Sequence, residues 1–427
     1  MRSRSPLLLL LIAIATSALH AQVTAIRAGT LIDPVSGTAV RDQIILVEGT
    51  TVKALGAKVA IPRGAAVIDL SRSTVLPGLF DAHTHLCMTV NMRRDAGSYY
   101  YTTLNDPDSY RAIQGVANAR SMLEAGFTTV RDVGNEGEFA CASLRRAVSR
   151  GLVEGPTIIN AGRIIAPYGG QFQLQPDKGE VLATPEYFFA DTRDELLKAV
   201  RENIHYGATV IKLVVDDQRY IYTAEDIRFV VDEAAKAGLK VAAHVWTRAG
   251  AHNAAQAGVA SMEHLNGISD EDLAVAKRNG VVAVFTPFPV SVLKSFRGEE
   301  AGQKEYEQEI DRLRAGHQAG VTIAFGTDAI HDLPGTTRGT LAITWIDSYL
   351  DAGLPPQAIL QAMTINAARL FGVEKQRGTI APGMAADIIA TAGDPLADPR
   401  VLKQVHFVMK DGKVVKGKPV PPRTAAR

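Results

Sequence analysis

The stretch "LPGLFDAHTHLCM", residues 76–88, decides the fold. An apolar run closes on two histidines one residue apart, and in an extended strand residues i and i+2 point to the same face. His83 and His85 therefore aim two imidazoles at one point, which is half of a metal site. Short motifs match by chance, so the other half has to come from elsewhere in the chain.

From Thr74 onward the texture repeats. Eight apolar runs, "TVLPGLFDAHTHL", "FTTVRDVG", "TIINAGRII", "TVIKLVV", "LKVAAHVW", "ASMEHL", "VVAVFTP" and "VTIAFGTD", alternate with stretches of helical spacing such as "RDELLKAVRENIHYG" and "AEDIRFVVDEAAKAG". Near-continuous apolar strands alternating with helices imply a parallel sheet covered by helices, and eight of them predict a (β/α)₈ TIM barrel over residues 74–374. A doubly wound open sheet is the alternative α/β arrangement. Residues 22–73 and 375–427 carry short β-type runs broken by Gly, Pro and Asp, including the turn signal "KDGK". Neither segment buries a core alone, so the two should pair into one small β-sandwich module built from both chain ends.

The polar exceptions within the eight runs fall in a pattern. They are His83 and His85 in the first, Lys212 in the fourth, His244 in the fifth, His264 in the sixth and Asp328 in the eighth, each at or near the C-terminal end. In a barrel of this kind those ends converge on one mouth, where active sites sit. Buried ionisable groups are costly without partners, and mutual coordination of a metal explains their joint placement. Neutral imidazoles and a carboxylate are ordinary zinc ligands. A protonated lysine beside cations would be repelled, but an N6-carboxylated Lys212 is an anionic bridging ligand.

Composition bounds the remaining choices. The 427 residues are 46% hydrophobic and 21% charged, with a formal net charge of +1. That excludes a nucleic-acid or anionic-membrane binder driven by charge. Residues 1–21, "MRSRSPLLLLLIAIATSALHA", read as a cleavable signal peptide, with Arg2 and Arg4 ahead of an apolar core and small residues near Ala18 and Ala21. A secreted or periplasmic protein, free of the membrane after cleavage, is expected. Two cysteines, Cys87 and Cys141, are too few for a disulfide framework, and one bridge stays open.

The order His-x-His, Lys, His, His, Asp, with "GLFDAHTHL", "GATVIKL", "GVASMEHL", "GVTIAFGTD" and the tail "GTIAPGMAADIIATAGDPL", resembles the binuclear metal-dependent amidohydrolase superfamily. Within it the chain looks closest to the imidazolonepropionase-like branch, which holds prolidase- and carboxypeptidase-type enzymes and ochratoxin-hydrolysing amidases. The resemblance implies two divalent ions, most simply Zn2+. His83, His85 and Asp328 would hold the more buried one, His244 and His264 the other, and carboxylated Lys212 would bridge them. It also implies a metal-bridging hydroxide as nucleophile, with Asp328 as catalytic base and then acid. Assembly into a homo-oligomer is a further implication.

Loops after the strands should set the substrate, a small molecule or dipeptide. Tyr168 and Gln171 after the third strand, Tyr220 and Tyr222 after the fourth, and His331 and Arg338 after the eighth are the candidate substrate-binding residues, with Tyr99, Arg93 and Arg94 nearby. An apolar pocket with a cationic anchor suits an N-acyl or peptidyl amino acid with a free carboxylate. Two departures stand out: relatives often carry His where Gln171 follows Gly169 and Gly170, and His-Gly where Arg338 and Gly339 stand. The leading expectation is a secreted zinc amidohydrolase that releases a C-terminal amino acid, ochratoxin-type amides included. A cyclic-amide or lactone hydrolase is the alternative, and a non-catalytic binding protein the third. His205, His252, His317 and His406 take surface or packing roles, and Glu263, next to His264, should face away from the site.

Overall fold

The computed structural model describes residues 23–134, 137–173, 175, 178 and 185–417; the signal-like segment lies outside them. The first strands are β1 (Val23–Asp33), β2 (Thr38–Glu48), β3 (Thr51–Gly56) and β4 (Ala66–Pro77). There follow β5 (Leu79–Thr84), β6 (Val90–Asn91), β7 (Phe127–Asp132), β8 (Thr157–Asn160), β9 (Ile164–Ala166) and β10 (Tyr187–Phe189). After them come β11 (Ile211–Val214), β12 (Val241–His244), β13 (Ser261–Glu263), β14 (Val282–Val284) and β15 (His331–Asp332). The chain closes with β16 (Ile388–Thr391), β17 (Phe407–Lys410) and β18 (Lys413–Lys416).

Both ends of the chain do meet in one module. Its strands hydrogen-bond in the order β18-β17-β16-β4-β1-β2-β3, so it is a single seven-stranded sheet and not the two stacked ladders of a sandwich. Ile26, Ile45, Val75, Ile388 and Phe407 supply its own apolar core. Gly29 marks where β1 bulges against β4: a Cβ there would lie 2.2 Å from the Ser71 carbonyl oxygen, so only glycine lets the two backbones approach.

The larger part is mixed α/β with parallel sheets. β5, β7 and β8 form one parallel ladder, and β10-β9-β11-β12-β13-β14 another. Every residue of β5 and β7 is buried, as expected for parallel strands covered on both faces. The helices that cover them begin on cap residues whose side chains accept a first-turn N–H: Thr192, Thr223, Thr247 and Ser269. Each cap is worth about 1 kcal/mol.

The closed eight-stranded ladder expected from the sequence is not assembled. The eighth apolar run makes a single bridge, Ala283 with Ile323, and no strand. It still lies between β14 and β5, because Ala324 N donates to Ala283 O and Ala82 N to Phe325 O. The reason is local: a Cβ on Gly326 would sit 2.4 Å from Val284 and 2.9 Å from His83, and Asp328 has a left-handed φ of 54°. Extended pairing cannot pass through such a turn. On the other side, Thr209 and Val210 meet β8 only at Asn160, whose carbonyl accepts from both backbone N–H groups and whose own N–H donates to Thr209 Oγ1.

Candidate metal centre

His83 lies on β5 one residue before its end, Lys212 lies on β11, His244 ends β12, His264 directly follows β13, and Asp328 closes the eighth run. These five and His85 line one cavity of about 260 Å³. The ring centres of His83 and His264 are 4.8 Å apart, those of His244 and His264 4.7 Å. Asp328 Oδ1 lies 3.3 Å from His85 Nε2 and 3.9 Å from His83 Nε2. The backbone turns sharply here: His264, Thr286 and Asp328 have φ of 66°, 48° and 54°. Left-handed backbone on residues other than glycine costs on the order of 1 kcal/mol or more and persists where its surroundings hold it. Asp81 does that holding for the last of them. Its carboxylate accepts from Thr327 Oγ1 at 2.7 Å, Thr327 N at 3.1 Å and His83 N at 3.0 Å.

Three of the imidazoles are tied from behind. His85 Nδ1 donates to the Gly134 carbonyl at 2.7 Å, His83 Nδ1 sits 2.8 Å from Glu263 Oε2, and His264 Nδ1 sits 2.8 Å from Thr286 Oγ1. A carbonyl can only accept, so His85 carries its proton on Nδ1 and turns a lone pair on Nε2 to the cavity. The Glu263 carboxylate imposes the same tautomer on His83. This is how metal-ligating histidines are oriented.

Glu263 therefore does not face away from the site, as simple alternation along the strand predicted. The left-handed His264 reverses the alternation, so adjacent side chains both reach the interior. Arg131 completes the support: it donates to Ala82 O at 2.7 Å, Ser261 Oγ at 2.8 Å and Glu263 Oε1 at 2.7 Å. Sequence reading passed over Arg131 and Asp81, although each is a charge inside an apolar run.

The electrostatics favour ligation. Burial, then the Lys212 charge, pushes the His83 imidazole down to about 4, and burial holds His264 well below its ordinary value. Both are neutral at pH 7, the form that binds metal. Burial alone would raise Asp328, but the adjacent His85 and His83 rings and the Lys212 charge outweigh it and hold its carboxyl below the ordinary range. Lys212 is buried, with no carboxylate in ion-pair range among the described residues, and burial pushes its amine down to about 8. His244 Nε2 is shielded from solvent and makes no hydrogen bond; Asp217 Oδ2 is 2.9 Å away but out of alignment. Neutral imidazoles, an ionised carboxylate and an orphaned ring nitrogen fit divalent cations.

The family model "Amidohydrolase family" matches residues 74–415. The chain belongs to the amidohydrolase family. It is 29% identical to the ochratoxinase of Aspergillus niger, over 94% of this chain and 88% of that one. Among solved structures, a Xaa-Pro dipeptidase with bound methionine superposes with a TM-score of 0.81 at 28% identity, covering 93% of this chain and all of that one. A prolidase complexed with N-methylphosphonate-L-proline gives 0.81 at 25% identity with the same coverage. Such neighbours imply a TIM-barrel-type fold with a separate sheet module. The protein is a metal-dependent hydrolase acting on C–N bonds.

The amidohydrolase loops depart from the sequence-based expectation. Gln171 lines the cavity, donating to Asp217 Oδ2 and accepting from Tyr187 OH, both at 2.8 Å. Tyr99 lines it too. Tyr168 and Tyr220 are half-exposed and stand outside it. Tyr222 is buried and spends its hydroxyl on the Ala190 carbonyl. Arg338 is a correction: its buried guanidinium donates to the carbonyls of His85, Met88 and Ile330, so it braces the loop behind the cavity and is not among the residues that line it. Arg94 is likewise held by Asp95 and Asp106. His331 lies in an adjoining chamber, its ring 4.0 Å from that of Phe296. Trp246, stacked on His244 at 5.9 Å, and Asp217 also line the cavity and were missed from sequence.

Proposed function

We propose that this amidohydrolase is an exported two-zinc enzyme that cleaves an amide bond to release a C-terminal amino acid from a dipeptide or N-acyl amino acid, ochratoxin-type phenylalanine amides included. One observation carries the reading: three histidines held at Nδ1 turn their Nε2 atoms to a cavity that also contains Lys212, His244 and Asp328. The names of the relatives, an ochratoxinase, a Xaa-Pro dipeptidase and a prolidase, support the substrate class. In the same reading the parallel strands and the eighth run enclose a TIM-type ring around the site.

His83, His85 and Asp328 would hold one ion and His244 and His264 the second, with Lys212, as its carbamate, an anionic ligand available to both. Bound zinc supplies Lewis acidity and lowers the pKa of water. Asp328 takes the proton of the attacking water on its carboxylate and returns it to the leaving amine. Its left-handed backbone points the carboxylate from the end of the eighth run into the cavity, beside His85. Gln171, Tyr99 and Met88 flank the acyl half of the substrate. Homo-oligomer formation belongs to the same proposal, and the exposed apolar side chains of Tyr101, Leu104, Tyr110 and Ile113 support it.

Hydrolysis of a panel of dipeptides and N-acyl amino acids ending in Pro, Phe, Leu, Arg and Asp, with ochratoxin A and a lactone, tests the reading on purified mature protein with and without zinc. Zinc-dependent release of C-terminal amino acids is expected. Cleavage of the lactone alone, or silence with two metals bound, would overturn it.

A further inference from the structure

A second chamber, of about 240 Å³, adjoins the metal-site cavity and shares Trp246, His264 and Asp328 with it. Its walls come from the segment around Phe288 and from the helices Val290–Arg297 and Glu299–Ala319. Phe288, Leu293, Phe296 and Met92 supply its apolar side, and polar and charged groups line the rest. Two arginines line it as well. Arg297 is occupied, its Nε 3.0 Å from Glu305 Oε2. Arg312 makes no hydrogen bond or ion pair with any described residue, and its Nε is shut off from solvent.

A guanidinium stays charged under all ordinary conditions, and a buried donor left unmatched is costly. Glu309, one turn earlier on the helix, does not supply the match. Its Oε2 accepts from Phe288 N at 2.6 Å, and burial pushes its carboxyl up to about 8, so it is largely protonated at neutral pH. Glu309 and Glu305 lie near Arg312 on the same helix, yet neither accepts from its guanidinium, so Arg312 is a cation without a hydrogen-bonded partner beside the reacting groups. The remaining partner is an anion brought by the substrate.

We infer that Arg312 anchors the α-carboxylate of the leaving amino acid, whose apolar side chain fills the chamber walled by Phe288, Leu293 and Phe296. The inference rests on the amide-hydrolase reading for the identity of the occupant. Asp328 and His264 stand where the two chambers meet, so the scissile bond lies at the junction and one half of the substrate extends into each. Only one chamber holds an unengaged arginine, and that fixes which half carries the carboxylate. A planar guanidinium matches a carboxylate through two parallel N–H donors.

Binding of L-phenylalanine and L-phenylalaninamide to the zinc-loaded protein tests it, because the two ligands differ only at the carboxyl group and no turnover is needed. Wild type should bind the acid at least about tenfold tighter, Arg312→Met should abolish that preference, and Arg312→Lys should keep part of it. Hydrolysis of N-acetyl-L-phenylalanine by Arg312→Met should show its loss mainly in KM. Equal affinity for acid and amide in wild type, or an undiminished preference in both variants, overturns the inference. If L-phenylalanine binds through Arg312 but no amide in the panel is cleaved, the anchor stands and the amide-hydrolase reading falls. Cleavage indifferent to the substrate carboxylate means the reverse.

Discussion

Glu263→Gln separates what holds the site together from what binds metal. The wild-type carboxylate is fully buried and accepts from Ser261 Oγ at 2.5 Å, Arg131 Nη2 at 2.7 Å and His83 Nδ1 at 2.8 Å. Glutamine keeps the volume and one acceptor oxygen, but it brings an NH2 group where the second oxygen was. Either Arg131 or His83 must then face a donor with a donor. Breaking a buried pair of this kind costs about 3–5 kcal/mol, a large part of the ~5–15 kcal/mol that a protein has. Losing the group that orients a ligating histidine lowers metal affinity about 10–100-fold.

The two effects have separate readouts. Urea unfolding of the metal-free protein should show a lower midpoint with unchanged slope, and competition with a chromophoric chelator should show weaker zinc binding. Adding Arg131→Met removes the stranded charge, so stability should partly return while zinc affinity stays low. The pH dependence has a definite sign. Burial raises Glu263, but Arg131 and His83 overcome this and hold it at about 2, below its ordinary 4.5. Its stabilisation is complete above pH 4.5 and lost as pH falls through 2, so the gap between wild type and variant should close over that window. A Glu263→Gln protein within about 1 kcal/mol of wild type and with unchanged zinc affinity would refute the reasoning.

Asp328→Asn should lower turnover by orders of magnitude with the fold intact, because asparagine tolerates the left-handed backbone at 328 but cannot shuttle the proton; near-normal kcat would sink that role. Thr286→Val, which leaves His264 Nδ1 without its oxygen partner, should weaken zinc binding about tenfold or more with a stability change of only about 1 kcal/mol, read by chelator competition and thermal unfolding. Glu309→Gln tests the raised carboxyl: burial lifts the folded-state value from 4.5 to about 8, so wild-type stability should fall as pH rises across that interval, by at most about 1.4 kcal/mol per pH unit. The variant should lack that slope, and parallel stability curves for the two proteins would contradict it.

The six candidate ligands were legible because each is a polar group at or near the end of an apolar run, and a polar group buried without purpose is too costly to recur so often. The same logic reaches Asp81, Arg131 and Glu263, yet a sequence does not say which partner a buried charge will find. Arg338 and Arg312 show the consequence. Arg338 follows the eighth strand, where a substrate cation belongs, and it braces carbonyls instead. Arg312 sits in "EQEIDRLRAGHQAG", a helix with charges on most of its faces, and only packing decides that it, and not Arg314, turns toward the chamber.

The unexpected opening of the ladder and the building of the site have one cause. In a regular parallel ring every strand would alternate strictly, and each strand end could offer only every second side chain to the mouth. His264, Thr286 and Asp328 leave that regime at three consecutive positions around the ring, each with a left-handed φ. The sixth run thereby presents Glu263 and His264 together, the seventh places Thr286 behind His264, and the eighth gives up its ladder to aim Asp328 at His85. Asp81, through Thr327, and the His83 carbonyl, through Asp328 N, restore the hydrogen bonds that the ladder would have made. Strain and compensation are therefore concentrated where the chemistry is, and a strand-period reading fails first at the residues that act.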